Sequence, residues 1–216
     1  MPGIRLSLKA IVNAGQNKDI CIATMDHKIL EASIKTVSQR TTEEDIRLLV
    51  SCAQNRELKK GEVLLKEGEV CRSFYLVEQG YLRTWCNKDG VAINLSFAFE
   101  GDFTTNLRSI NGRRASELII EAGEDSIVWV FDLDVILEQF NSHPQMILFI
   151  RRLSVQILLA AEEHSNLFKL YTPTERYHYI EKNKPQLLQR ISLSQLASYL
   201  GVTRETLSRI RGKRDR

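Results

Sequence analysis

The sequence predicts an α+β protein in three parts: an antiparallel β-roll, a long helix, and a C-terminal helix-turn-helix. Three observations predict it. Between Leu58 and Val130, short β-branched and aromatic runs alternate with glycines at spacings near ten residues, the pattern of many short antiparallel strands. From Pro144 the apolar residues switch to helical spacing. The last 27 residues then describe two short helices joined by a glycine.

The strand runs are Val63–Leu65, Phe74–Val77, Tyr81–Trp85, Ala92–Phe99, Leu118–Ile120 and Ile127–Phe131. Asp89-Gly90 is a two-residue hairpin signal, because both positions of a type I′ turn need positive φ. Upstream, Thr42 followed by Glu43, Glu44 and Asp45 reads as a capped helix start with acids at the positive end of the dipole. Residues 1–27 are mixed and polar, and Met25 is a second candidate start. Strands of this number and spacing suggest an antiparallel barrel or sandwich.

The long helix opens at Pro144, a residue suited to the first helical turn. Met146, Ile150, Leu153, Ile157, Ala160, His164 and Leu167 follow at alternating gaps of four and three. That is a coiled-coil seam, and it predicts a homodimer with Ile150, Leu153, Ile157 and His164 in the interface. His164 reads as a polar group that sets register rather than a ligand. Thr172-Pro173-Thr174-Glu175 restarts a helix with an N-cap, a first-turn proline and a capping-box glutamate.

The C-terminal segment is RISLSQLASYLGVTRETLSRIRGKRDR, Arg190 to Arg216. Ser192 and Gln195 have capping-box spacing, Gly201 supplies the turn, and Thr203 caps the second helix. Leu207 and Ile210 hold that helix to the first, which leaves Arg204, Glu205, Ser208 and Arg209 outside. This segment carries seven Lys/Arg and two Asp/Glu, whereas residues 1–189 carry 23 and 25. The positive charge sits at one end, as in a nucleic-acid binder. Arg204, Glu205 and Arg209 are the expected base contacts, since Arg reads guanine and Glu accepts from cytosine. Ser192, Thr203, Thr206, Ser208, Lys213 and Arg214 are the expected phosphate contacts.

Composition removes several classes. Apolar runs such as Ile157–Ala161 are too short to span a bilayer, and the N-terminus has no apolar signal core. Cys21, Cys52, Cys71 and Cys86 lie 31, 19 and 15 residues apart, without zinc-ligand spacing. Free thiols and a cytoplasmic location are expected. The sequence has no Gly-x-Ser-x-Gly, Walker loop or His-Glu-x-x-His, so no enzyme is expected.

Two motifs carry a family resemblance. LKKGEVLLKEGEVCRSFYLVEQGYLR, from Leu58 to Arg83, is similar to the opening strands of a cyclic-nucleotide-binding roll. VTRETLSRI, from Val202 to Ile210, resembles the recognition helix of the Crp/Fnr (cyclic-AMP receptor protein / fumarate-nitrate regulator) regulators. The resemblance spans about residues 40–211. It implies a bacterial homodimeric transcription regulator with double-stranded DNA and RNA polymerase as partners. It divides the chain into an N-terminal extension (1–37), a cyclic-nucleotide-binding-like roll of the double-stranded β-helix, or jelly-roll, type (38–143), a dimerisation helix (144–170) and a DNA-binding domain (171–216).

The chain departs from the family in the pocket. Thr105-Asn106 stands where cyclic-nucleotide binders carry Gly-Glu for ribose, and Ser116-Glu117 where they carry Arg-Ser or Arg-Thr for the phosphate. Ala160 and Ala161 replace the adenine-contacting hydroxyls of the long helix. Arg113 and Arg114 are the nearby groups that could substitute. The expected effector is therefore not cyclic AMP, and its identity is open. No cofactor or metal is expected: Cys21 stands alone for an iron–sulfur cluster, and a haem ligand would have to come from His27, His143, His164 or His178. The competing expectation is a ligand-binding regulatory module, with a cyclic nucleotide or other small molecule in the roll, that reads no specific DNA.

Overall fold

The computed structural model describes residues 28–140 and 143–212. Helices α1 (Lys28–Val37) and α2 (Glu43–Ser51) precede eight strands: β1 (Ala53–Leu58), β2 (Val63–Leu65), β3 (Ser73–Gln79), β4 (Leu82–Lys88), β5 (Val91–Ala98), β6 (Phe103–Thr104), β7 (Ile119–Ala122) and β8 (Ser126–Asp132). The short helix α3 (Leu107–Gly112) lies between β6 and β7. After the roll come α4 (Leu133–Phe140), α5 (Pro144–Leu170), α6 (Pro173–Asn183), α7 (Pro185–Arg190), α8 (Leu193–Tyr199) and α9 (Arg204–Gly212).

The strands form two antiparallel sheets, ordered β1-β8-β3-β6 and β2-β7-β4-β5. Their apolar faces enclose Leu58, Leu65, Leu76, Leu82, Ile120, Val128 and Trp129. Strand β3 is buried at four consecutive residues, Phe74 to Val77. That run fits a strand covered on both faces, and Leu30 and Ile34 of α1 belong to the same core. The β4–β5 hairpin turns at Asp89 (φ 53°) and Gly90 (φ 83°), with Lys88 paired to Val91. This is the type I′ geometry that Asp-Gly favours.

The helix caps follow the local sequence. Thr42 with Asp45, Thr172 with Glu175, and Ser192 with Gln195 each form a capping box. Pro144, Pro173 and Pro185 occupy first turns. Cys52, Cys71 and Cys86 are free thiols.

Helix α5 has two apolar faces, and the seam expected to bind a second copy is the inner one. Leu153 is 1% exposed, and Met146 and Phe149 are buried with it in the roll's core. Ile150 and Ile157 pack half-buried against that core. Of the residues assigned to the interface, Leu153 is thus covered by the chain's own core, while Ile150 and Ile157 remain half-buried at its edge. The opposite face leaves Val155, Leu158 and Leu159 exposed, the last two at 59% and 56%. Two apolar faces also make Pro144–Leu170 long and apolar enough, by length and composition, to cross a bilayer, a property that contiguous apolar runs did not show. Arg151 and Arg152 interrupt the outer face.

A second core closes the C-terminal part. Leu167 of α5 joins Tyr177, Ile180, Leu187, Ile191, Leu196, Ala197, Leu200 and Leu207. Tyr81 and Phe99 of the roll belong to this same cluster, so the C-terminal helices are docked on the roll.

Candidate functional site

Helices α8 and α9 form the helix-turn-helix. Leu207 of α9 is fully buried against α8, while Arg204, Glu205, Ser208 and Arg209 are exposed. Burying a leucine side chain stabilises by about 1.5–3 kcal/mol, which fixes which face of this helix points out. Thr203 caps α9 by accepting from the Thr206 amide at 3.2 Å. Gly201 (φ 65°) makes the turn, and a Cβ there would lie 2.5 Å from the Phe168 ring. Glycine is needed for both reasons.

Of the expected phosphate contacts, Ser192 and Thr203 spend their hydroxyls on caps. The Thr206 hydroxyl accepts from Thr203 at 3.1 Å. Ser208 is exposed. Lys213 and Arg214 lie outside the described residues.

His164, assigned to the interface between copies, is half-buried and makes its contacts within the chain. Its Nε2–H donates to the Tyr199 carbonyl at 3.0 Å, its ring stacks on Tyr199, and Phe168 meets it edge-on. Burial pushes its pKa below the usual histidine range, against the Tyr199 carbonyl, which favours the charged form. Beside it, Glu163 accepts from the Tyr179 hydroxyl and from Lys184. The Glu163 carboxylate holds the Tyr179 phenol up at about 12.

Sequence reasoning missed the contact between α8 and the roll. Strand β5 is the edge of its sheet. The Ser198 hydroxyl accepts from the Asn94 amide at 3.0 Å and donates to the Ala92 carbonyl at 3.1 Å. It thereby fills the place of a neighbouring strand. Asn94 Nδ2 donates to the Gln195 carbonyl at 3.4 Å, and Phe97 packs edge-on against Tyr199. Arg190 closes the contact from the end of α7. Its guanidinium donates to Glu100 at 2.5 and 2.9 Å, donates to Glu124, and lies over the Tyr81 and Phe99 rings. Glu100 in turn accepts from the Gly80 amide at 2.8 Å. Burial would raise the Glu100 pKa, but Arg190 and the Gly80 amide hold it below the usual range. No local period marks Arg190, because its partners lie 66 and 90 residues away.

In the roll, three of the expected pocket residues come together. Thr105, Asn106 and Ser116 are buried. Asn106 Nδ2 donates to the Ser116 hydroxyl at 2.8 Å, and its Oδ1 caps α3 by accepting from the Ser109 amide at 3.2 Å. The Thr105 hydroxyl donates to the Ser73 carbonyl at 2.8 Å, and the Ser116 hydroxyl donates to the Leu118 carbonyl at 2.6 Å. The other five expected residues are exposed and do not join them. Arg113 forms a two-bond pair with Asp134, Glu117 lies 3.5 Å from Arg108, and Arg114, Ala160 and Ala161 face outward. Arg113 turns away because it is the left-handed C-cap of α3 (φ 49°).

Comparison with known proteins follows the same outline. The family model for the cyclic nucleotide-binding domain matches residues 55–143. No curated protein matches the sequence. Among solved structures, FixK2 from Bradyrhizobium japonicum is similar at 22% identity and TM-score 0.64, over 74% of this chain and 83% of its own. A transcriptional regulator of the Crp/Fnr family from Eubacterium rectale shares 19% identity at TM-score 0.61, over 78% and 81%. The c-di-GMP responsive regulator CLP of Xanthomonas campestris shares 17% at TM-score 0.62, over 78% and 89%. Residues 55–143 thus match the cyclic nucleotide-binding domain model, and the chain, with its long helix and helix-turn-helix, has the fold of the Crp/Fnr regulators.

Proposed function

We propose that the protein is a homodimeric, sequence-specific DNA-binding transcription regulator whose roll does not bind cyclic AMP or cyclic GMP tightly. The observation that carries the DNA reading is the outward face of α9. Arg204, Glu205, Ser208 and Arg209 are exposed on a helix whose opposite face is anchored by Leu207. In a helix-turn-helix this second helix enters the major groove, and Arg and Glu there read guanine and cytosine edges. The dimer reading rests on the outer face of α5. Leu148, Val155 and Leu159, with Val37 of α1, line a groove that also holds Arg151, Arg152 and Gln156. An apolar stripe of this length on a helix suits a symmetry mate.

The test is selection from random duplexes followed by sequencing. The expected result is a pseudo-palindrome whose half-sites lie roughly 34–36 Å apart, as for two-fold helix-turn-helix dimers. Recovery of no sequence preference would overturn the proposal.

The pocket supports the second half of the proposal. A cyclic phosphate needs a charge-assisted partner; of the two nearby arginines, Arg113 is engaged with Asp134 and Arg114 is exposed. The regulator CLP is described as responding to c-di-GMP, so a shared fold does not by itself fix the effector.

A further inference from the structure

We infer that the outer groove of α5 becomes an anion site when two copies pair, and that a multivalent oxyanion bound there, carrying phosphate or carboxylate groups, sets the strength of the dimer. This rests on the dimer reading above. Two observations carry it.

The first is the charge of the groove. Arg151 and Arg152 stand about one turn after Leu148 and one turn before Val155, so apolar side chains border them along the helix on both sides. Gln156 is the other polar residue of the lining, and no acidic residue belongs to it. Among the described residues, neither arginine forms an ion pair with a carboxylate, whereas Arg56, Arg83, Arg108 and Arg190 each pair with a glutamate. Arg152 is held by a neutral group instead. Its Nη1 donates to the Ser38 hydroxyl at 2.6 Å, and Ser38 is 4% exposed. That bond positions the guanidinium and leaves its charge uncancelled.

The second is symmetry. Two heads that read one duplex must emerge at the same end of the helix pair, so the two α5 helices run in the same direction about a two-fold axis. Each residue of the seam then faces its own counterpart. Arg151 and Arg152 of both copies gather four guanidiniums in one layer, between apolar layers that exclude water. Charges taken from water without a partner oppose association, and like charges repel more strongly there than in bulk solvent. Glu162 cannot cancel them. It lies eleven residues farther along the helix, about 16 Å at 1.5 Å per residue. An oxyanion can, because carboxylates and phosphates accept the planar arginine fork through two parallel bonds. The Gln156 carboxamide adds a neutral donor from each copy. One protomer supplies only half of this donor set, so the site is complete only in the dimer. A ligand that binds the dimer and not the monomer strengthens the dimer by mass action.

The experiment measures the dimer dissociation constant of the full-length protein by sedimentation equilibrium. The buffers contain chloride alone, or chloride with inorganic phosphate or citrate, all at one ionic strength so that screening is constant. Wild type is compared with Arg151→Met, which keeps an unbranched apolar stem and removes the charge. Arg108→Met makes the same change at an exposed residue outside the groove. With anion tenfold above its own dissociation constant, the wild-type and Arg108→Met dimers should tighten roughly tenfold. Whichever of phosphate and citrate acts identifies the oxyanion group. Arg151→Met should dimerise more tightly than the wild type in chloride and lose most of the response. A wild-type dimer indifferent to both anions would overturn the site, as would an Arg151→Met protein that responds like its parent. A wild type that stays monomeric in every buffer would overturn the dimer reading itself, and the site with it.

Discussion

The His164 ring lies flat on the Tyr199 ring, with centroids 4.1 Å apart and planes 8° from parallel. The same histidine donates to the Tyr199 carbonyl, and the far side of the tyrosine meets Phe97 of the roll at 5.5 Å. Tyr199 is thus the point where the long helix, the helix-turn-helix and the roll touch. Burial pushes its phenol well above the usual range.

This stack makes the assembly sensitive to acid. Burial holds His164 below its ordinary pKa, so the folded chain binds a proton less readily than the unfolded one. Glu163 favours the charged ring and Lys184 opposes it. The contribution is fully present above about pH 6.5, the unfolded value. It is lost as pH falls below that toward the lowered folded value. Wild-type melting temperature should therefore fall between pH 7.5 and 5.5 by more than that of His164→Gln, which does not titrate. Parallel curves for the two proteins would remove His164 as the sensitive group.

The recognition helix gives the second prediction. Arg204→Ala and Arg209→Ala should each relax one G·C preference by about 1–3 kcal/mol. Both side chains are exposed, so stability should stay within about 0.5 kcal/mol of wild type. Competition binding against single-base variants of the selected site measures the first quantity, and thermal melting the second. Mutants that discriminate like the wild type would assign the wrong helix.

The two faces of α5 separate by mutation. Leu159→Asp places a charge on the outer stripe, which is 56% exposed at that residue. It should give folded monomers by sedimentation and lose most specific DNA binding, because two joined half-sites bind far better than one. Leu153→Ala instead empties a core position that is 1% exposed. It should cost about 2–5 kcal/mol of stability. An unchanged dimer in Leu159→Asp would move the interface off this face.

The fold was legible where local chemistry decides structure. Asp89-Gly90, the Ser192–Gln195 box, Thr172-Pro173 and Gly201 each state a turn or a cap in a few residues. Strand β1 was not legible, because AQNREL buries only its two ends and reads as a polar loop. The outward side chains of α9 were legible because Leu207 and Ile210 fix the phase of that helix. Periodicity gives the phase of an apolar stripe but not what covers it, and at Leu153 of α5 the cover is the roll's own core. Arg190 read as one more basic residue near DNA. Only the fold brings Glu100 and Glu124 to it.

The last prediction concerns Asn106 and decides whether the roll's polar centre is a ligand pocket or a structural knot. In a pocket, polar side chains wait for ligand, and removing one costs affinity and little stability. Here Asn106 bonds the Ser109 amide and the Ser116 hydroxyl inside the protein, and Ser116 also accepts from the Leu118 amide at 3.0 Å. Asn106→Ala would strip the cap from α3 and leave the buried Ser109 amide unpaired, at about 1–3 kcal/mol. Denaturant unfolding should show a loss of that size. Calorimetry with cyclic AMP or cyclic GMP should show no micromolar binding in the wild type, since the phosphate finds no free guanidinium among Thr105, Asn106 and Ser116. A micromolar constant, or an Asn106→Ala protein as stable as its parent, would turn the knot back into a pocket.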